Sequence, residues 1–379
     1  MSAVAELTSQ LVAIESINPG LGVGGSGEMQ LARFVAEWCE RAGLETALSE
    51  PVAGRPNVVA IARGSGSGSG RSLMLNAHMD TVGVGGMTDP FAPRLEDGRL
   101  YGRGAQDMKG SLAACMLATA EAARRGLSGD VIVTAVADEE VASVGTEAVA
   151  SSLHADAAIV TEPTDMRVAV AHRGFVHLEI ETTGRAAHGS RPDLGVDAIA
   201  KMGHVLVGIE ELDRRLRGNP THRYLGSGSV HASLVEGGQE YSSYPARCVV
   251  QAERRTIPNE SVELVVAEIQ EILDRAVAAD AAFSGGVRAL ASREPFEVEE
   301  DADVVTTLLR CATSVTGTEP AVVGVPFWAD SALLATAGIP TVVFGPCGEG
   351  LHSEVEWVDV ASLEQCVEIY GAVASELCS

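Results

Sequence analysis

Five sets of polar residues in this 379-residue chain stand where apolar runs end. His78 and Asp80 close RSLMLNAHMD, and Asp107 sits in YGRGAQDMKG. Asp138, Glu139 and Glu140 follow DVIVTAVA, Glu162 follows DAAIVT, and His352 lies in GEGLHSEVEW. Residues two apart on a strand face the same side, so His78 and Asp80 leave theirs together. That pair reads either as a metal ligand oriented by a carboxylate or as a hydrogen-bonded pair closing a strand. The others also have ordinary explanations taken singly. Asp107 suits the cap of a following helix, Glu162-Pro163 a turn, and His352 a loop. Together they make two imidazoles, three ligand carboxylates and one carboxylate to spare. Imidazole and carboxylate without thiolate suit a hydrolytic zinc pair, with manganese or cobalt as alternatives. Two metals ~3.5–4 Å apart need a bridging carboxylate. The spare carboxylate can act as general base. Neighbours on an extended segment point opposite ways, so Glu139 and Glu140 have different jobs, and spacing does not say which has which.

The elements that must position these residues read as α/β. Helices are expected over 3–15, 28–43 and 108–126, with strands at PNVVAIARG, RSLMLNAH, DVIVTAVAD and DAAIVTEP. Strands alternating with helices imply a mostly parallel sheet flanked by helices. The Gly/Ser tract at 64–70 is expected to be a flexible turn. Near residue 172 the pattern changes to β-α-β-β-α-β, the ferredoxin-like order of an α+β domain. After 295 the α/β style returns, with a helix at 301–315, the strand TVVFG and a last helix at 360–376. The expected organisation is a discontinuous catalytic domain, 1–171 with 290–379, and an inserted domain at 172–289.

Composition narrows the partners. The formal net charge is −25, which disfavours nucleic acid and anionic membrane. No segment approaches the length of uninterrupted apolar sequence that a membrane span requires. The N-terminal stretch lacks the basic and apolar regions of a signal peptide. The seven cysteines are scattered, with no C-x-x-C, which suits a reducing compartment, so the expected location is cytoplasmic.

Six motifs in order carry a resemblance covering nearly the whole chain. They are His-x-Asp after a strand, Gly-Arg-Gly-x-x-Asp-Met-Lys-Gly, Asp-Glu-Glu, Glu-Pro, HGSRPDLGVDAI, and a late His near a Glu. With them the chain resembles the di-zinc metallopeptidase superfamily of aminoacylases, acetylornithine deacetylases and succinyl-diaminopimelate desuccinylases. The resemblance implies a zinc-peptidase-like catalytic domain and a lid that also serves dimerisation. It implies that His78 and Glu162 bind one zinc, Glu140 and His352 the other, and Asp107 both. Asp80 would orient His78, and Glu139 would be the general base that takes a proton from water and returns it to the leaving amine. The Asp107–Met108 peptide would be cis. His188 would assist the oxyanion from the partner subunit of a homodimer, and Arg255 would clamp a substrate carboxylate. The implied reaction removes an acyl group, acetyl first, from an N-acyl-α-amino acid such as N-acetylornithine. A dipeptidase or carboxypeptidase is the alternative, and a binding protein that lost catalysis is a third reading. The chain departs from the pattern at Glu253, where relatives carry Asp, and at Trp328 and Cys347, in loops expected to line the pocket. Arg254 is expected at the surface, and His172, His177, His204, His222 and His231 to be structural or exposed.

Overall fold

A computed structural model describes residues 1–21, 24–66 and 70–379. Residues 67–69 of the Gly/Ser tract lie outside the described residues. The chain forms two compact units. The first comprises Met1–Val170, Val298–Val323 and Ala329–Ser379, and the second Ala171–Glu297 with Gly324–Trp328. The second unit thus extends beyond residue 289 and includes a short separate piece.

In the first unit four parallel strands lie side by side, in the order Val131–Val136, Leu73–His78, Ala157–Val160 and Thr341–Val343. The first three are buried along their whole length, which is why they read as unbroken apolar runs. The margins are antiparallel, so the sheet is mixed. Arg55–Ala62 pairs with Val131–Val136, and Glu45–Val52 pairs with Arg55–Ala62 through a tight turn. A connection that short permits only antiparallel pairing. Helix Met29–Arg41 buries Leu31, Ala32, Val35, Ala36 and Cys39, one stripe at helical spacing. Helix Gly110–Arg125 is buried over most of its length up to Ala122; its small residues let the last helix, Val360–Leu377, pack along it. It ends at Gly126 in the left-handed conformation, with Arg124 and Arg125 in the last turn. The helix does not begin at 108: a single wide π-type turn, Ala105–Lys109, precedes it. The Asp107–Met108 peptide within that turn is cis.

The second unit is an antiparallel sheet ordered Ser229–Gly237, Arg247–Thr256, Gly174–Thr183, Gly285–Arg293. Helices Ala198–Arg217 and Val262–Ala279 complete the strand-helix-strand-strand-helix-strand order. Val176, Leu178 and Ile180 alternate inward to meet Met202, Ile209, Ile269 and Leu273 of the helices. Asp197 and Ser261 cap the two helices by accepting the backbone N–H of Ala200 and Leu264. Among the described residues no helix is long and apolar enough to cross a membrane.

Candidate active site

Strand register assembles the first unit's polar cluster. His78 pairs with Val136, and Asn76 with both Thr134 and Val160. His78, the Asp138–Glu140 turn and Glu162 therefore leave the carboxyl ends of three adjacent parallel strands, where open α/β sheets form their sites. Asp107 arrives on the wide turn before helix Gly110–Arg125, and His352 on the loop between Glu349 and Trp357.

Asp107 is the hub. Its Oδ1 lies 3.0 Å from His78 Nε2 and its Oδ2 3.5 Å from His352 Nε2. Glu162 Oε1 stands 3.7 Å from His78 Nε2, and Glu140 Oε2 3.2 Å from His352 Nε2. Each imidazole thus faces one oxygen of a shared carboxylate and one carboxylate of its own. Donor atoms of His78, Glu139 and Glu162 lie within 4.8 Å of one another, as do those of His78, Asp107 and Glu140. Glu139 therefore stands among the clustered oxygens, and position alone admits it as ligand or as base. All five residues expected as ligands, with Glu139 and Asp80, come together in this one unit.

Partners fix the imidazole of His78. Its Nδ1 lies 2.9 Å from the backbone carbonyl of Asp80 and 3.5 Å from the Asp80 carboxylate, so Nδ1 carries a hydrogen and Nε2 is the nitrogen that faces the cluster. Asp80 is fully buried, and its two oxygens accept the backbone N–H of Glu139 and Glu140, each at 3.1 Å. Asp107 is held through its backbone. The buried carboxylate of Glu356 accepts the N–H of Gly104, Gln106 and Asp107 and a 2.6 Å hydrogen bond from Arg103. Gly104 has φ 80, and a Cβ there would meet Thr81 at 2.8 Å, so this turn needs glycine.

The electrostatics call for cations. Burial pushes Glu139 and Glu162 well above the ordinary carboxylate range, and the charges of neighbouring carboxylates add to the effect. Burial and Asp107 also raise Glu140, whose Oε1 is buried without a partner. Burial opposes protonation of His78, but hydrogen bonds to Asp107 and Asp80 outweigh it and hold His78 well above its usual pKa. Asp330, buried nearby and accepting the Thr146 hydroxyl, is pushed up to about 6 by burial. Carboxylates this crowded, with an orphaned oxygen among them and imidazole nitrogens aimed inward, fit a pair of divalent cations bound by oxygen and nitrogen.

Sequence reading missed the supporting residues. Arg103, within the Gly-Arg-Gly motif and buried, was a signal that a buried acid must answer it, and Glu356 does. Lys109 lies buried with Nζ donating 2.7 Å to the Ile14 carbonyl, its pKa lowered to about 7 by burial. Asn18, Arg55 and Glu28 carry no motif at all.

The other two expected site residues belong to the second unit. His188 is exposed; its Nδ1 accepts the backbone N–H of Ser190 at 3.2 Å, which leaves the hydrogen on Nε2 as a donor. Arg255 pairs with Glu253 at 3.0 Å, and its guanidinium lies 5.6 Å from the Phe175 ring centre. Arg254 is not at the surface: its side chain is 0% exposed and bound to Glu260 at 2.9 Å and Glu268 at 3.0 Å. Trp328 packs edge-on to Phe175 and donates its indole N–H to the Glu294 carbonyl. His172 is buried, while His177 and His231 are exposed on either side of Glu253.

Comparison with known proteins places this geometry. An N-formyl-4-amino-5-aminomethyl-2-methylpyrimidine deformylase from Halalkalibacterium halodurans is 30% identical, the match covering 88% of this chain and 85% of the relative. An acetylornithine deacetylase from Myxococcus xanthus is 29% identical, covering 100% and 98%. The crystal structure of an aminopeptidase from Bacillus cereus shares the fold with a TM-score of 0.82 at 20% identity, covering 100% and 98%. A dinuclear metal-binding M20 peptidase from Bacillus subtilis shares it with a TM-score of 0.73 at 16% identity, covering 99% and 97%. Residues 74–376 match Peptidase family M20/M25/M40, and with four-fifths of its length inside that match the chain belongs to this family.

Proposed function

We propose that this metal-dependent amidohydrolase removes the acyl group, acetyl in the first instance, from an N-acyl-α-amino acid such as N-acetylornithine. The observation that carries the reading is the shared carboxylate of Asp107, with an imidazole and a second carboxylate on either side of it. His78, Asp107 and Glu162 would hold one metal, and Asp107, Glu140 and His352 the other; zinc is the proposed ion, and cobalt or manganese would suit the same donors. When bound, the metals supply Lewis acidity and lower the pKa of water. Glu139 is assigned as general base: it accepts the proton of the attacking water and delivers it to the departing amine. Asp80 keeps the His78 lone pair aimed at the cluster. His188, reaching across the homodimer into the partner's cluster, is proposed to donate Nε2–H to the developing oxyanion, and Arg255 to receive the substrate carboxylate in exchange for Glu253.

The acetylornithine deacetylase and deformylase relatives both act on small amides, which favours this substrate class. The second reading is a dipeptidase or carboxypeptidase, in keeping with the peptidases that share the fold. The complete ligand set with Glu139 beside it weighs against a non-catalytic binding protein. A homodimer formed through the second unit is supported by apolar side chains left open there: Leu234 and Val235 on the edge strand are each 65% exposed and Val207 on the adjacent helix 56%. Seven free cysteines suit a reducing cytoplasm.

Bound metal and hydrolysis of N-acetyl amino acids, dipeptides and formamides are measured together in the wild type and in Glu139→Ala. Two metals per chain in both, with turnover in the variant reduced by ~10²–10⁴-fold, is the expected result. Cleavage of dipeptides alone would move the assignment to the peptidase reading. A metal-replete chain that cleaves nothing, or a chain that takes up no metal, would refute the proposal.

A further inference from the structure

A buried polar network outside the expected ligands converges on Asp80. Asn18 has spent all its hydrogen-bonding capacity. Its Nδ2 donates to Asp80 Oδ2 at 2.7 Å and to Asp138 Oδ1 at 2.9 Å. Its Oδ1 accepts from Arg55 Nη2 at 2.7 Å and from the backbone N–H of Gly20 at 2.8 Å. Arg55 also reaches Asp138 Oδ1 at 2.9 Å, and its Nη1 is anchored on the buried Glu28 at 2.8 Å. One amide and one guanidinium thus hold together two carboxylates, Asp80 and Asp138, that would otherwise repel.

What these carboxylates control is a turn. Asp138 has φ 73, in the left-handed region, where a side chain other than glycine needs support. Its carbonyl accepts the N–H of Ala142 and Ser143 and closes the loop that follows. The next two amides, of Glu139 and Glu140, donate to the two oxygens of Asp80. Orientation of successive amide planes decides where successive side chains go. Here Glu139 joins the His78–Glu162 group and Glu140 the His78–Asp107 group.

We infer that Asn18 and Arg55 are positioning residues, which act through Asp80 and Asp138 to send the adjacent Glu139 and Glu140 to different places in the cluster. The inference rests on the metal-site assignment above. Neither residue is among the donor groups of the cluster. Their effect is on the order and geometry of the ligands, transmitted through Asp80 and Asp138, which stand between them and the cluster.

Asn18→Asp is the sharpest test. It keeps the shape, but it replaces the shared NH₂ donor with oxygen and sets a third carboxylate against Asp80 and Asp138. Arg55→Met removes the cation, and Arg55→Lys restores charge without the two-pronged geometry. The full-length, metal-free protein is titrated with Co²⁺ and followed by its visible absorption, with kcat and KM measured on the best wild-type substrate and folding checked by thermal melting. In the wild type two equivalents are expected. In Asn18→Asp and Arg55→Met at least one equivalent should bind ~10–100-fold more weakly, with an altered cobalt spectrum, and kcat should fall more than KM rises. Arg55→Lys should recover part of each. Wild-type cobalt spectra, affinities and kcat in folded Arg55→Met would overturn the inference, and this variant decides if Asn18→Asp does not fold. No cobalt uptake by the wild type would instead refute the metal-site assignment, and this inference with it.

Discussion

Arg254 and Arg255 are neighbours in sequence with opposite surroundings. Cys248, Val250, Ala252, Arg254 and Thr256 are buried in alternation on their strand, so Arg254 occupies a core position and Arg255 the opposite face. The period-two parity of RCVVQAERRT carries that information. The charge of Arg254 conceals it, because an arginine is ordinarily assigned to the surface. Burial is tolerated because Glu260 and Glu268 meet the guanidinium, and Glu260 also accepts the N–H of Ile257. Arg254→Met leaves two largely buried carboxylates unpaired and should destabilise the protein by about 3 kcal/mol, read as a lower urea midpoint; an unchanged midpoint would show the network to be dispensable. At the same scale most residues of the cluster drew notice because they close an apolar strand or stand in a glycine motif, and His352, on a loop, was marked only by the resemblance. Asn18, Arg55 and Glu356 were not, since their partners lie 62, 27 and 250 positions away along the chain.

Elements divide the same way. Buried parallel strands such as Leu73–His78 announce themselves as apolar runs. The edge strand Glu45–Val52 does not, because ETALSEPV is exposed along most of its length and owes its conformation to pairing with Arg55–Ala62. Nor does the wide turn Ala105–Lys109 follow from local propensity, which favours simple extension of helix Gly110–Arg125. It is held from outside, by one carboxylate that accepts the N–H of Gly104 just before the turn and of Gln106 and Asp107 within it. Glu356→Gln keeps the shape but supplies an NH₂ donor where the backbone needs an acceptor. Zinc affinity, measured by competition with a chelating dye, should weaken by ~10–100-fold while the helices stay intact by circular dichroism. Unaltered affinity would mean that the turn keeps its conformation unaided.

For the whole molecule, the change in strand and helix order falls near residue 172 and the second unit begins at Ala171, while Gly324–Trp328 joins that unit from a distant part of the chain. If the exposed edge strand is the dimer contact, Leu234→Lys with Val235→Lys should give a monomer by light scattering while the isolated chain still melts cooperatively; a dimer that persists would place the contact elsewhere. The first unit is closed by late sequence: Thr341–Val343 pairs beside Ala157–Val160, and His352 and Glu356 reach the cluster from the last tenth of the chain. The second unit's continuous stretch, Ala171–Glu297, is synthesised before any of these. On the ribosome, where domains form in the order they emerge, the inserted unit can therefore fold while the sheet around it still lacks a strand. The polypeptide acquires both imidazoles of its cluster only once translation has passed His352, so on the proposed ligand assignment the metal pair is captured after the inserted stretch has been made.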